Sequence, residues 1–132
     1  MLNYIWVIIG GGLGCALRYW ASGFVARIFG ETFPWGTLIV NVTGSLFIGF
    51  FAAMTGPDGR WFMSGSVRTF VMVGICGGYT TFSSFSLQTL NLASDGEWLF
   101  AAANAVLSLV LCLLAVWAGH AAAALLNPME GH

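Results

Sequence analysis

Apolar residues run along this chain in four long stretches that are separated by short polar turns. The stretches cover residues 4–29, 37–54, 67–92 and 98–126. A helix needs about 20 predominantly apolar residues to cross the hydrocarbon core of a bilayer, so each stretch predicts one membrane-spanning helix. Gly, Pro, Ser and Asp residues supply turns between the stretches. The pattern predicts an all-α membrane protein with four transmembrane helices in a single domain, 1–132.

The third stretch contains residues that a plain lipid-facing helix would avoid. Gly77, Gly78, Thr80 and Thr81 interrupt its apolar run. Glycine weakens a helix by about 1 kcal/mol relative to alanine. Opened backbone in hydrocarbon also needs protein, water or an ion to satisfy its amide groups. We therefore expect a helix break here, placed inside a protein interface or along a polar path.

Composition and charge exclude several classes of function. The chain has 132 residues, of which 58% are hydrophobic and 7% charged, and its net charge is −1 with no lysine. Nucleic-acid binding needs a basic face, so we expect no such partner. The serines near Phe85 have no histidine or carboxylate beside them in the sequence, so we expect no enzyme. Cys15, Cys76 and Cys112 lie in separate apolar stretches and are interpreted as packing residues.

The arginines give little information about orientation in the membrane. If both termini lie on one side, the first and third loops carry only Arg27, and the other side carries Arg60 and Arg68. The positive-inside rule depends on such counts, and a difference of one is weak. We therefore expect that copies insert both ways up.

Small residues recur at helical spacing in three of the stretches. The pairs are Gly10 with Gly14, Ser45 with Gly49, and Gly74 with Gly78. Such spacings let helices approach closely in a membrane. Packing within one chain explains some of them, but their number favours a homo-oligomer. With insertion in both orientations, that oligomer would be an antiparallel dimer.

Several polar residues lie at membrane depth, and each has two interpretations. Asn41 shares a helix face with Thr37 and Ser45, and Ser108 shares one with Asn104 and Cys112. These stripes are typical either of hydrogen bonds between helices or of a polar path. Arg18 is the one charge well inside the first stretch. It either extends its guanidinium to the interface or attracts anions at a vestibule.

Phe82 and Phe85 follow the expected break and lie three residues apart, on one helix face. Core or lipid-facing packing is the ordinary role of such a pair. Ring edges are partly positive, however, so edges turned into a narrow path could coordinate a small dehydrated anion. The carbonyl groups of the break could meanwhile bind a cation, as unwound transmembrane backbone does in transporters.

Over nearly its whole length the chain resembles the CrcB (Fluc) family of small bacterial fluoride channels. The resemblance includes Gly10-Gly11-Gly12-Leu13-Gly14 with Arg18, and Gly36-Thr37-Leu38 with Asn41. The most specific string is Gly74-x-x-Gly77-Gly78-x-Thr80-Thr81-Phe82-Ser83-x-Phe85-Ser86. The chain departs from the pattern at Gln88, where several relatives carry glutamate, and at Cys112, where serine is frequent.

The resemblance implies a dual-topology antiparallel homodimer in the bacterial inner membrane, with two fluoride pores and one central sodium ion. Gly77 and Thr80 resemble the sodium-site positions, which act through backbone carbonyls. Phe82, Phe85 and Asn41 resemble pore residues. Ser108 and Thr81 resemble positions of the polar track, and Arg18 resembles the vestibule arginine.

The function expected from the residues and the resemblance together is passive export of cytoplasmic fluoride. The alternative is a small dual-topology, proton-coupled exporter of toxic cations. That mechanism needs a carboxylate embedded in the membrane, whereas Asp58, Asp95 and Glu97 fall in predicted loops.

Overall fold

The computed structural model describes residues 2–57 and 59–127, and all regular structure in these ranges is helical. The predicted all-α class is therefore confirmed for this part of the chain. The first, second and fourth stretches form α1 (Leu2–Phe29), α2 (Trp35–Met54) and α6 (Trp98–Leu126). The third stretch is composite: α3 (Gly65–Arg68), a π-helical segment (Thr69–Cys76), α4 (Gly77–Tyr79) and α5 (Ser83–Ser94).

Three helical stretches are long and apolar enough to cross a membrane, namely Trp35–Met54, Gly65–Ser94 and Trp98–Leu126. The helix α1 has 28 residues, which corresponds to about 42 Å at 1.5 Å per residue. Its glycines and Arg18 make it less apolar than the other three. A fourth crossing by α1 therefore stays a prediction.

Local sequence explains where several helices begin and end. Pro34 precedes α2, and its carbonyl accepts the first helical bond, from the Leu38 amide at 3.2 Å. The Ser64 hydroxyl caps α3 by accepting from the Val67 amide at 3.3 Å. Gly30 follows α1 with a φ of 82°, a left-handed conformation that glycine adopts without steric cost.

The long helices run alternately up and down. At one end of the molecule, Ser66 donates to Asn3 at 3.2 Å and the Arg60 guanidinium donates to the Leu126 carbonyl at 3.2 Å. At the other end, the ring of Phe33 in the first loop packs edge-on against Phe100 near the start of α6. The 55–64 loop and the 30–34 loop therefore lie at opposite ends of the bundle.

The tightest packing joins α2 to α6, where two glycines let the backbones touch. A side chain at Gly49 would collide with the carbonyl of Val116, and one at Gly119 would collide with the carbonyl of Leu46. Val40 and Met54 on α2 and Asn104 on α6 are fully buried. Contact between small residues is the usual way that helices associate in a membrane.

Glycines also join α1 to the third stretch within the same chain. A Cβ at Gly10 would lie 2.6 Å from the Phe70 carbonyl oxygen, and a Cβ at Gly78 would lie 2.5 Å from the Gly11 carbonyl oxygen. Gly14 is crowded by the Ile75 carbonyl, and a Cβ at Gly74 would lie 3.0 Å from the Gly10 Cα. Both of these glycine pairs, and Gly49 of the third small-residue pair, therefore pack inside one chain. The spacings give no separate support for a second copy, and the homo-oligomer stays a prediction.

The helix α5 has no fully buried residue, although its sequence includes Gln88, Thr89 and Asn91. Leu87 and Leu90 on the same helix are 58% and 60% exposed. Gln88 and Thr89 are partly covered by the chain itself, as expected of polar side chains at membrane depth. The outer face of α5, which includes Leu87, Leu90 and Asn91, is exposed in the single chain.

Candidate functional site

The backbone of the third stretch leaves the helical conformation after Tyr79. Thr80 is extended, with φ −86° and ψ 160°, and the helix resumes at Ser83. The Thr80 amide and hydroxyl both donate to the Cys76 carbonyl, at 3.0 and 2.9 Å. These two hydrogen bonds to one carbonyl close the last helical turn before the interruption.

Asn41 on α2 satisfies the opened backbone. Its side-chain Nδ2 donates to the Thr81 carbonyl at 2.9 Å, and its Oδ1 accepts from the Thr81 amide at 2.8 Å. The Asn41 side chain is only 8% exposed. An unpaired amide in this environment costs about 1–3 kcal/mol, so the reciprocal pair stabilises the interruption. The amide also fixes the distance between α2 and the extended residues.

The carbonyl groups around the interruption fall into two classes. The Gly78 carbonyl accepts from Arg18 and the Thr81 carbonyl from Asn41. A continuous helix would direct the Thr81 amide at Gly77 O and the Ser84 amide at Thr80 O. These amides instead bond Asn41 and the Thr81 hydroxyl, at 2.8 and 3.2 Å. The carbonyl oxygens of Gly77 and Thr80 thus lack their helical partners within the described residues.

Arg18 lies against the interruption from the side of α1. Its Nε donates to the Gly78 carbonyl at 3.1 Å, and its guanidinium also lies 3.7 Å from the sulfur of Cys15. The guanidinium is thereby held at the C-terminal end of α4, where a positive charge is electrostatically favourable. Arg18 is partly exposed. The predicted vestibule arginine therefore contacts the interruption itself.

One cavity brings together all of the predicted site residues except Arg18. Its volume is about 370 Å³. We call it the central cavity, and its lining includes Asn41, Gly77, Thr80, Thr81, Phe82, Phe85 and Ser108. Asn41 comes from α2, Ser108 from α6, and the remainder from the third stretch. Residues far apart in the sequence therefore converge on one space beside the interruption.

The two phenylalanines lie side by side at one wall of the central cavity. Their ring centroids are 5.4 Å apart and their planes are inclined by 53°. Phe82 is 78% exposed within the single chain. Tilted rings direct edges as well as faces into the adjoining space, and the edges carry the positive part of the quadrupole. The pair can present a weakly electropositive surface that holds no formal charge.

Hydrogen bonds connect Ser108 with Phe85, which both line the central cavity, through Asn104 and Thr89. The Ser108 hydroxyl donates to Asn104 Oδ1 at 3.4 Å, Asn104 Nδ2 donates to the Thr89 hydroxyl at 2.9 Å, and Thr89 donates to the Phe85 carbonyl at 2.8 Å. Thr89 was not among the residues predicted from the sequence. Its spacing of four residues from Phe85 was the available signal, because a threonine there can bond the preceding turn.

A second cavity of about 450 Å³ lies at the end of the bundle that carries the 30–34 loop, between residues 30–36 and the end of α5. Gln88 lines it, together with the carboxylates of Glu31 and Asp95. The Gln88 Oε1 atom is buried and has no hydrogen-bond partner in the part of the chain that the structure describes. Gln88 thus contributes a neutral amide to this cavity beside the two carboxylates.

An all-helical bundle with several apolar spans and a polar, aromatic-lined cavity beside interrupted backbone is the architecture of a multi-pass membrane protein that handles small ions. The family model described as CrcB-like protein, Camphor Resistance (CrcB), matches residues 5–120. The chain belongs to the CrcB family, which confirms the resemblance found in the sequence.

Close relatives extend this match over nearly the full chain. A protein of Rhodospirillum rubrum named fluoride-specific ion channel FluC is 60% identical over 126 residues, covering 96% of this chain and 98% of its own length. Proteins with the same name from Opitutus terrae and Methylocella silvestris are 59% and 55% identical. Those alignments cover 99% and 98% of this chain, and 99% of each relative.

Proposed function

We propose that this protein is a passive, fluoride-selective ion channel that lets cytoplasmic fluoride leave the cell. The central cavity carries the proposal, because it gathers Asn41, Phe82, Phe85 and Ser108 beside the interrupted helix. The names of the relatives, which are fluoride-specific ion channels, support the same function. The chain acts in transport and performs no chemical conversion.

The membrane potential supplies the driving force. An interior-negative potential favours outward movement of an anion by about 2.3 kcal/mol per charge per 100 mV. Hydrogen fluoride enters cells uncharged and dissociates inside, so the anion accumulates until a path releases it. Such a path needs neither a nucleotide site nor a coupled ion gradient.

The lining offers fluoride weak donors in place of its hydration shell. An asparagine amide carries two N–H donors, and Asn41 gives one to the Thr81 carbonyl. The second can point into the central cavity. The edges of Phe82 and Phe85 add a positive but uncharged surface. Ser108 contributes a hydroxyl, and Thr81 contributes one beside the opened backbone. Weak ligands of this kind allow an ion both to enter and to leave.

The interruption at Thr80–Phe82 is, in this proposal, a break within one membrane-spanning third helix, and it holds a sodium ion. The carbonyl oxygens of Gly77 and Thr80 fit that role, because the amides that would bond them in a helix are engaged elsewhere. Oxygen ligands from unwound backbone suit a hard alkali cation. The ion would supply fixed positive charge near the anion path and hold the break in shape.

The functional unit in this proposal is an antiparallel homodimer in the bacterial inner membrane. The exposed outer face of helix α5 and the highly exposed Phe82 supply a face for a second copy. The near-equal arginine counts of the two ends are compatible with both insertion directions. Two copies would enclose two fluoride paths and share the sodium ion, and lipid would cover the outer apolar surface.

A proton-coupled exporter of toxic cations is the alternative. Its coupling site would need a carboxylate inside the bundle. Glu31, Asp95 and Glu97 all lie outside the helices, and Asp58, which was also predicted to fall in a loop, lies outside the described residues. No observation on the molecule favours this alternative.

Fluoride efflux from liposomes that contain the purified protein tests the proposal directly. With a potassium gradient and valinomycin, we expect a fluoride electrode to record rapid efflux, and we expect almost none from protein-free liposomes. When the liposomes are loaded with chloride instead of fluoride, a chloride electrode should record almost no efflux. Equal fluxes of the two anions, or efflux that requires a proton gradient, would contradict a passive fluoride-selective channel.

A further inference from the structure

Three sulfur-bearing side chains line the central cavity, and the proposed function uses none of them. Met72 and Cys76 come from the π-helical segment, and Cys112 comes from α6. Cys76 is 4% exposed and Cys112 is partly exposed. The chain has three cysteines, and the remaining one, Cys15, is exposed and lies beside Arg18. Two of the three thiols therefore line the same cavity as a thioether.

We propose that Met72, Cys76 and Cys112 form a binding site for a soft monovalent metal ion of the Cu(I) and Ag(I) class. Thiolate and thioether ligands select such ions over hard cations. Ile48, Leu109 and Leu113 complete the neighbouring wall, and an apolar wall disfavours strongly hydrated ions. Sodium, which prefers oxygen, has its proposed ligands at the carbonyls of the interruption.

The position of each sulfur is set by a rigid element. Met72 and Cys76 are four residues apart, which places them on one face of a helix. The Cys76 carbonyl accepts both the Thr80 amide and the Thr80 hydroxyl, so the backbone at this cysteine is fixed. Cys112 lies four residues after Ser108 on α6, and both line the central cavity. The three residues therefore line one cavity from two helical stretches.

Charge balance favours a single monovalent ion. One thiol, that of Cys112, loses its proton to water in the cavity and forms a sulfur–metal bond. The second thiol and the thioether act as neutral donors, and no electron is transferred. The metal and the one thiolate then sum to zero charge. A neutral complex avoids the cost of burying an unpaired charge.

Metal bound at this site would occupy space that Phe82, Phe85 and Asn41 also line. We therefore infer that a soft metal ion blocks anion passage. This consequence rests on the proposed channel function, whereas the binding itself does not. Cys112 is the decisive ligand, because its side chain is partly exposed whereas Cys76 is buried.

The flux experiment uses silver nitrate as the probe, with proteoliposomes in a chloride-free fluoride medium. We expect silver to stop efflux in the parent protein. Cys112→Ser should raise the half-blocking silver concentration roughly tenfold or more, as expected when one of few soft ligands is lost. Cys15→Ser is the matched control, and its half-blocking concentration should equal that of the parent. Each variant is compared with its own flux without silver.

A binding experiment separates this proposal from the proposed function. Elemental analysis of the purified Cys15→Ser protein after silver exposure and desalting should find one silver ion per chain, because the exposed thiol of Cys15 is then absent. It should find none in the Cys15→Ser/Cys76→Ser/Cys112→Ser variant. If the parent passed no fluoride before silver was added, the channel proposal would fail, and the stoichiometry would still decide the metal site. Equal silver binding by these two variants, or loss of the block in Cys15→Ser, would overturn the site.

Discussion

At the scale of single residues, Phe82 and Phe85 carry the proposed anion selectivity. Isoleucine has similar bulk and apolar character but no quadrupole. We expect Phe82→Ile and Phe85→Ile to fold, and at least one of them to lower fluoride flux roughly tenfold or more, because an aromatic contact worth about 1 kcal/mol or more is lost. Fluoride efflux from proteoliposomes measures the change.

Phe24 on α1 offers a matched control for these variants. It stacks on Trp20 at 5.7 Å and lies outside the central cavity. Phe24→Ile should keep the parent flux. If Phe82→Ile and Phe85→Ile both matched the parent as well, the two rings would serve only helix packing.

Asn41 has a second role that its sequence position did not reveal. Asn41→Asp keeps an acceptor for the Thr81 amide but sets a carboxylate against the Thr81 carbonyl, and it adds negative charge beside the anion path. We expect both lower flux and a destabilisation of about 2–4 kcal/mol, measured as a lower thermal unfolding midpoint in detergent. Thr43→Val on the same helix removes a bond to the Tyr79 hydroxyl and should cost only about 1 kcal/mol. Full flux and unchanged stability in Asn41→Asp would remove Asn41 from both roles.

At the scale of the helical elements, the two adjacent glycines of α4 have different surroundings. A Cβ at Gly78 would lie 2.5 Å from the Gly11 carbonyl oxygen, whereas a Cβ at Gly77 would lie 4.0 Å from its nearest neighbour, the Met72 carbonyl oxygen. Gly78→Ala should therefore destabilise the chain by about 1–3 kcal/mol, because α1 and α4 must move apart. Gly77→Ala should not reduce the stability of a single chain. Thermal unfolding of the two variants makes the comparison.

Gly77→Ala is informative because the added methyl group meets no close neighbour within the described chain. If it nevertheless lowers flux or dimer yield, the added methyl group must act on something outside the chain, such as a second copy or a bound cation. Full flux and normal dimerisation, in Gly77→Ala and in the larger Gly77→Val, would argue against a tight ion site at this position.

The sequence predicted the positions of the helical stretches better than their internal geometry. The hydrophobic pattern placed a helix at 98–126, where α6 lies. It did not predict the π-helical turns of Thr69–Cys76, because one extra residue per turn leaves an all-apolar run unchanged. It also placed the start of the third stretch at residue 67, whereas the cap at Ser64 begins the helix at Gly65. Capping serines are common in loops, and this one gave no separate signal.

At the scale of the whole molecule, the charge distribution bears on orientation. The end with the 55–64 loop carries Arg60 and Arg68, and the other end carries Arg27 with Glu31, Asp95 and Glu97. We expect a cysteine introduced at Asp95 to react with a membrane-impermeant reagent from both sides of the membrane. Labelling from one side alone would exclude dual topology.

Biasing the charge tests the same expectation from the opposite direction. Glu31→Arg with Glu97→Arg adds two arginines to the end of the bundle opposite the 55–64 loop and should force a single orientation. Antiparallel dimers, and with them the flux, should then disappear. Glu31→Gln with Glu97→Gln is the control, since the count of arginines does not change. Normal flux in the arginine variant would show that opposed copies are not required.

The composition of the central cavity was predictable residue by residue, but its construction was not. The motif around Phe82 identified most of the lining. The sequence could not show that Arg18 bonds the Gly78 carbonyl, or that Gly10 and Gly14 meet Gly74 and Gly78 inside one chain. Small-residue spacing indicates close approach without identifying the partner, and that partner depends on the tertiary arrangement.

The contact between α1 and the third stretch has a consequence for how this protein can change over generations. A crowded side chain in an ordinary core can be accommodated when a neighbour becomes smaller. At Gly10, Gly14, Gly74 and Gly78 the facing atoms belong mainly to backbone, which no substitution can shorten. A substitution at any of these positions therefore cannot be relieved by trimming the residue opposite, and the two helices must shift instead. Compensating changes can act only elsewhere, by stabilising the chain as a whole.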